Sequence, residues 1–399
     1  MDFIPTSLLT TCSSVFSEII ANLANLSFTE GCFPSYFKTA QISPRHKKPG
    51  LDTDRPSNYR PIWNLNNISK LLERLFPSRI QHHVFTCSHF NPYQSAYRRN
   101  NSTETSLLLT ADQIFNSIDH RDSTLLVSLD LSAAFNTIDH HILLDRLHSS
   151  FGICNTVHDW LSSYLGIRKQ FVSLGHSRSI TATYTTDVPQ GSVLGPILFC
   201  LFVSPFAQIV TKCWVRHQQY ADDTQLYISI SRNNTSKLHD REDCLLSLFS
   251  WFFHNGMSLN PEKKRCRSLW PYQSAKSLSN TSNINVAGTS VALSDKVKLL
   301  GVTLDRHLTF NSHIVQVCCS THFHTIALRH IRNVIFNDTA KSVVQAVVSS
   351  RLGYANSISF EAKHYKTSEI TKYTGSSGNA LQSLWQCNHS TSETSLATY

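Results

Sequence analysis

One four-residue stretch, Tyr220-Ala221-Asp222-Asp223, limits what this 399-residue chain can become more than any other. It lies between Val215-Arg216-His217-Gln218-Gln219 and Thr224-Gln225-Leu226-Tyr227-Ile228-Ser229-Ile230. Leu226, Ile228 and Ile230 alternate with Tyr227 and Ser229, the period of a half-buried strand, so the acids are expected at a tight hairpin between two strands. Adjacent carboxylates repel, and a shared divalent cation relieves the repulsion. Acid pairs also occur in ordinary solvated turns, so the surrounding pattern has to decide between a magnesium site and a turn.

Upstream, Ser123-Thr124-Leu125-Leu126-Val127-Ser128-Leu129 reads as a strand with an apolar face that delivers Asp130 at its end. Leu131-Ser132-Ala133-Ala134-Phe135 follows, and small residues beside a lone carboxylate let another chain come close to it. The same residues also suit a strand-terminal Asp that caps the next turn. Between the two acidic sites, Val188-Pro189-Gln190-Gly191-Ser192-Val193-Leu194-Gly195-Pro196 forms a glycine-punctuated loop that enters the apolar run Ile197–Phe202. Acid, glycine loop and paired acids follow one another in the order found in template-directed polymerases.

Asp130–His140, Pro189–Phe199, Tyr220–Tyr227 and Lys298–Asp305 resemble the successive motifs of reverse transcriptases from non-LTR retrotransposons, of the LINE type and nearest the Jockey-like group. The likeness covers roughly residues 30 to 358. It implies an α+β right-hand polymerase with fingers, a palm whose antiparallel sheet is backed by helices, and a short helical thumb. The implied reaction is RNA-directed DNA synthesis, adding dNTPs to a primer 3′-hydroxyl by two-metal catalysis on an RNA template and a DNA primer. The implied cofactor is a pair of Mg²⁺ ions, or Mn²⁺, held by Asp130, Asp222 and Asp223.

Other roles follow the same likeness. Lys47, Lys48 and Arg60, on two strands around a Pro-Gly turn, form a cationic flap suited to triphosphate oxygens. Phe135 would exclude a 2′-hydroxyl, and Gln190 and Gly191 would meet the nucleotide and template. Lys263, in Asn260-Pro261-Glu262-Lys263, is the implied proton donor to pyrophosphate, and Leu300, Gly301 and Val302 are the implied primer grip. Asn91–Asn100 resembles the family's Gln-Ser-Gly-Phe-Arg stretch with Ala96 and Tyr97 in place of glycine and phenylalanine, and Arg98 and Arg99 face either template phosphates or solvent. Asn136 and Asp187 also depart from the family, which keeps open a decayed or co-opted palm that binds nucleic acid without turnover. An RNA-dependent RNA polymerase is a third reading, opposed by Phe135.

The expected divisions are an N-terminal helix over 1–30, fingers over 31–120, and a palm over 121–295 with a fingers insertion at about 150–190. A primer grip and partial thumb over 296–358 and a disordered tail over 359–399 complete the chain. In the first helix Leu8, Cys12, Val15, Phe16, Ile19, Leu23 and Leu26 are expected to share the packed face. A hydrophobic share of 41% with 16% charged residues describes an ordinary globular core, and a net charge of +9 favours a polyanionic partner.

The eleven cysteines include no Cys-x-x-Cys pair and read as reduced, mostly buried thiols. Cys318, Cys319, His322 and His324 fall inside a helical pattern and not at zinc-ligand spacing. With no secretory leader and no run expected to span a bilayer, the chain is expected to be intracellular, cytoplasmic or nuclear, without membrane contact. Lacking an endonuclease or RNase H segment, it is expected to be a piece of a mobile element's reading frame.

Overall fold

The computed structural model describes residues 4–120, 123–132, 135, 137–189, 191–230, 237–259, 265–269, 283–286, 289–292, 294–305 and 308–356. The expectations for Gln190, Lys263, Asn136 and the tail 359–399 lie outside the described residues.

The chain opens with helices α1 (Thr6–Thr11) and α2 (Ser13–Thr29), then strands β1 (Thr39–His46) and β2 (Tyr59–Asn64). Helices α3 (Asn67–Leu75), α4 (Pro77–Thr86) and α5 (Thr103–Asp119) lead to β3 (Ser123–Leu129) and β4 (Leu131–Ser132). Next come α6 (His140–Ser149), α7 (Asn155–Leu165), β5 (Arg168–Leu174), β6 (Ser177–Arg178) and β7 (Ala182–Tyr184). Helices α8 (Gly195–Val203) and α9 (Phe206–Lys212) precede β8 (Arg216–Tyr220), β9 (Asp223–Ile230) and α10 (Lys237–His254). Strands β10 (Ser258–Leu259), β11 (Arg265–Leu269), β12 (Asn283–Val286), β13 (Thr289–Ala292), β14 (Lys296–Leu299) and β15 (Val302–Asp305) follow. Helices α11 (Asn311–Ile331), α12 (Asn337–Val344) and α13 (Ser350–Gly353) close the described chain, an α+β arrangement.

A central antiparallel sheet runs β11-β3-β9-β8, and an outer sheet runs β2-β1-β5-β6 with β7 also on β5. Because strand side chains alternate, Leu125, Val127 and Leu129 of β3 join Leu226 and Ile228 of β9 on one face. There they pack into the core that includes Leu198, Phe202, Leu245, Leu248 and Phe252 from α8 and α10. Leu126 and Tyr227 point the other way, into a second core with Leu107 and Ile114 of α5 and Val297, Leu299, Val302 and Leu304 of the β14–β15 hairpin. The expected half-buried β9 is therefore buried on both faces, since the hairpin returns from far along the chain to cover what local alternation marked as the wet side. Tyr227 keeps its hydroxyl satisfied there by pairing with Thr110 Oγ1 at 2.8 Å.

Ser102 caps α5 reciprocally, with Thr105 N–H on Ser102 Oγ at 3.2 Å and Ser102 N–H on Thr105 Oγ1 at 2.8 Å. Gly31 follows α2 at φ +63°, where a left-handed residue ends a helix cheaply.

The first helix differs from its expected packing. It is broken at Cys12, and Leu8, Val15, Ile19 and Leu26 are exposed. The packed face lies to one side of that stripe: Leu23 packs on the core as expected, Ala24 and Ser27 are buried, Phe28 lies 5.4 Å from Trp160 and 5.9 Å from Phe76, and Trp160 Nε1 donates to Ser27 Oγ at 2.9 Å. Both faces carry apolar residues, so periodicity alone does not choose between them. The thiols also differ: Cys200, Cys244 and Cys318 are buried, but Cys12, Cys87 and Cys213 are half-buried and Cys32, Cys154 and Cys319 exposed, all of them free. The 18-residue segment Gly195–Lys212 is long and apolar enough to cross a membrane, yet it is mostly buried in the fold as α8 and α9, divided at Ser204-Pro205. Ile19→Glu should change unfolding free energy by less than about 0.5 kcal/mol in urea denaturation, whereas Phe28→Ala should cost about 2–4 kcal/mol.

Candidate active site

Ladder register places the acids. Leu129 of β3 faces Thr224 of β9 in the last pair of that ladder, so Asp130 and Asp223 are the next residues along the two strands. Asp130 falls where the chain leaves the central sheet, since the next two residues pair instead with β10 as Leu131↔Leu259 and Ser132↔Ser258. Tyr220 pairs with Asp223, which leaves Ala221 and Asp222 as a two-residue turn. Asp130 and Asp222 are half-buried and Asp223 is exposed. Among the described residues no three His, Cys, Asp or Glu side chains enclose a metal position.

Ala221 takes φ +55°, and Asp222 keeps the ordinary sign, the pattern of a type II′ turn that normally wants glycine first. An alanine there costs on the order of 1–3 kcal/mol. The compensating contact comes from Gln94, whose Nε2 donates to Ala221 O at 3.0 Å while its Oε1 accepts the Ala221 N–H at 2.9 Å. Sequence reasoning missed this residue, treating its segment as a template contact. Arg98 likewise turns inward, donating to Pro92 O at 3.1 Å with its guanidinium 5.6 Å from the Phe90 ring, while Arg99 is exposed.

The glycine loop is tied down at both ends. Val188 N–H donates to Phe135 O at 3.1 Å, and Phe135 stacks obliquely on Phe199 with centroids 4.8 Å apart, leaving its ring half-buried. Gly191 sits at φ +96°, and a Cβ there would lie 3.2 Å from Trp63 O, so the position tolerates only glycine without a shift of β2. Beyond it, the buried Glu73 accepts the Val193 N–H at 2.7 Å and the Leu194 N–H at 3.4 Å through Oε2, and Ser69 Oγ at 3.0 Å through Oε1. A carboxylate at this place also meets the positive end of α8.

Asp187, just before the loop, occupies φ +96° with Oδ1 lacking a partner. Its backbone is strained, in a conformation suited to glycine. Burial pushes its carboxyl up to about 7 from the ordinary 3.8. Nearby, His140 Nε2 lies 2.8 Å from Asp187 O, and burial lowers that imidazole's pKa.

The β1–β2 hairpin gathers exposed cations. Arg45 pairs directly with Arg60, and Lys47 and Lys48 follow on the exposed turn. Like charges directly opposite destabilise a sheet unless an anion sits between them. Arg45 was not singled out from sequence, because only the register brings it to Arg60. At the far side, Leu300 at φ +43° and Gly301 at φ +87° turn β14 into β15. Tyr354 donates its hydroxyl to Leu300 O at 2.5 Å, and Glu104 Oε1 accepts the Ala355 N–H at 2.6 Å. Val302 is buried in the second core, so its side chain supports this turn from beneath, while Gly301 is exposed.

The fold is α+β, with the Asp222-Asp223 turn on its central sheet. Residues 46–304 match the family described as reverse transcriptase (RNA-dependent DNA polymerase). The chain belongs to the reverse transcriptase family. It is 30% identical over 288 residues to the probable RNA-directed DNA polymerase from transposon BS of Drosophila melanogaster, covering 71% of this chain and 31% of that protein. It is 26% identical over 309 residues to the RNA-directed DNA polymerase from mobile element jockey of the same organism, covering 75% and 32%. The chain therefore spans about a third of the length of these curated relatives. Among solved structures, apo telomerase from Candida tropicalis truncated from the C-terminal domain aligns with a TM-score of 0.42 at 12% identity, over 75% of this chain and 59% of that one.

Two outcomes follow from the loop. Glu73→Ala strands two buried N–H groups and should cost about 2–4 kcal/mol in urea denaturation, with Glu73→Gln recovering part of the loss. For Asp187 the folded chain holds a proton between about pH 4 and 7 that the unfolded chain has released, so stability falls as pH rises through that window. Asp187→Gly removes both strain and titration, and its gain in Tm should grow across that window and level off above it.

Proposed function

We propose that this chain is the polymerase core of a non-LTR retrotransposon, an RNA-directed DNA polymerase that adds dNTPs to a primer 3′-hydroxyl on an RNA template. The observation that supports the reading is the end of the β3–β9 ladder, after which Asp130 follows on one strand and the Asp222-Asp223 turn on the other, in a chain whose family is reverse transcriptase. In this reading the central sheet is the palm, the β1–β2 hairpin and its neighbours are the fingers, β14–β15 is the primer grip and α11–α13 are a short thumb.

Three carboxylates are the hard oxygen donors that magnesium selects. Magnesium is commonly held by one or two carboxylates together with substrate phosphates. Asp130, Asp222 and Asp223 would hold two Mg²⁺ ions, or Mn²⁺. When bound, the metal supplies a lowered pKa at the attacking hydroxyl and neutralises charge on the triphosphate.

The chain's own residues do the positioning, which in-line phosphoryl transfer needs more than covalent help. Arg60 with Arg45 opposite, and Lys47 and Lys48 beyond, offer cations to the triphosphate. Gly191 and the adjacent Gln190 let the nucleotide and template come close to the backbone. The exposed part of the Phe135 ring crowds a 2′-hydroxyl and so selects dNTPs. Leu300 and Gly301 steady the primer end, and Lys263 is the proposed proton donor to departing pyrophosphate. The setting for this chemistry would be intracellular.

A palm that binds nucleic acid without turnover is the second reading, favoured by the strained Asp187 beside the glycine loop. Primer extension on poly(rA)/oligo(dT) with Mg²⁺ decides between them. The wild type should extend with dTTP, Asp222→Ala should lower the rate by about a thousandfold, and Phe135→Ala should admit UTP. A wild type that binds the duplex and does not extend it sinks the polymerase reading and leaves the second.

A further inference from the structure

We infer that Gln94 is a positioning residue for the catalytic turn, holding Ala221 in its left-handed conformation so that Asp222 and Asp223 keep their aim. This deepens the polymerase reading and rests on it. Gln94 never meets the nucleotide or a metal in this role. It acts through a backbone.

The segment around Gln94 joins the central sheet as an extra edge. Gln94 bridges Gln219 in parallel register, with Ser95 N–H donating to Gln219 O at 2.9 Å and Gln219 N–H donating to Tyr93 O at 3.0 Å. Side chains reinforce the seam. Asn91 Nδ2 donates to Gln219 Oε1 at 3.2 Å, and Gln218 Nε2 donates to Ser95 Oγ at 2.7 Å. These bonds hold the segment to β8 without help from the Gln94 carboxamide.

That carboxamide is spent on one residue of the turn. Gln94 is fully buried, and both its polar atoms reach Ala221, donating to the carbonyl and accepting from the N–H. Oε1 also accepts the Ala96 N–H at 3.1 Å, which locks the side chain in this orientation. Reciprocal bonds to the N–H and C=O of a single residue fix the two peptide planes that flank it, which is what a residue at φ +55° without glycine's freedom requires. The plane on the far side of Ala221 carries Asp222. Let go, Ala221 relaxes to negative φ, that plane rotates and the carboxylate swings with it.

The test compares wild type, Gln94→Met, Ala221→Gly and the double variant. Methionine fills the same space without polar atoms. Glycine takes positive φ at no cost and so replaces what the clamp does. Gln94→Met should lower kcat for dTTP addition by about a hundredfold, with KM and duplex Kd within about threefold, and the double variant should recover at least about tenfold. A folded Gln94→Met with kcat within about threefold of wild type overturns the inference. So does a loss that Ala221→Gly leaves unrepaired.

If Gln94→Met does not fold, Gln94→Glu carries the test, because a carboxyl accepts from the Ala221 N–H but donates to its carbonyl only when protonated. Its rate relative to wild type should then rise as pH falls from about 8 to 6, and a ratio flat with pH overturns the inference. A wild type silent in extension defeats the polymerase reading alone. In that case Mn²⁺ affinity decides for Gln94: about tenfold weaker in Gln94→Met and recovered in the double variant supports the clamp, and an unchanged affinity overturns it.

Discussion

Hydrogen bonding between β3 and β9 sets where the carboxylates stand, because the acids occupy the end of one strand and the start of its neighbour. A slip of one residue would turn every side chain of β9 over and carry Asp223 away from Asp130. What prevents the slip is burial on both faces. Leu226 and Ile228 are committed to one core and Tyr227 to the other, so no shifted register satisfies both. The chemistry is thus placed by apolar packing behind it, and the loops have only to bring substrate to a fixed edge.

The surrounding elements attach to this ladder at separate points. Phe135 O receives the start of the glycine loop and Glu73 its end, which ties α3, the loop and α8 into one support. The β14–β15 hairpin covers the Tyr227 face and is itself closed by Tyr354. Two regions that are distant in sequence therefore share one sheet as their common reference.

What sequence could read and what it could not divide along physical lines. The strand Ser123–Leu129 and the turn at Asp222 were legible because alternation and a tight acidic turn are local signals. The second face of β9 was not, since its cover comes from residues about the β14–β15 turn. The Arg45–Arg60 pair needed a register, and the tie between Gln94 and Ala221 needed a fold that spans 127 positions of chain. In the first helix, apolar residues on both sides made the wrong stripe as plausible as the right one. At Asp187 and Ala96 departures from the family were visible, but their backbone angles and burial were not.

Ala221, Asp187 and Leu300, each a side-chain-bearing residue at positive φ, sit at the acidic turn, just before the glycine loop and at the β14–β15 turn. Heat tolerance and the geometry of these turns therefore draw on the same few positions. Selection for a hardier molecule would find its easiest gains at these bends and not in the well-filled interior, and every such gain would retune how the acids, the loop or the hairpin tip are presented.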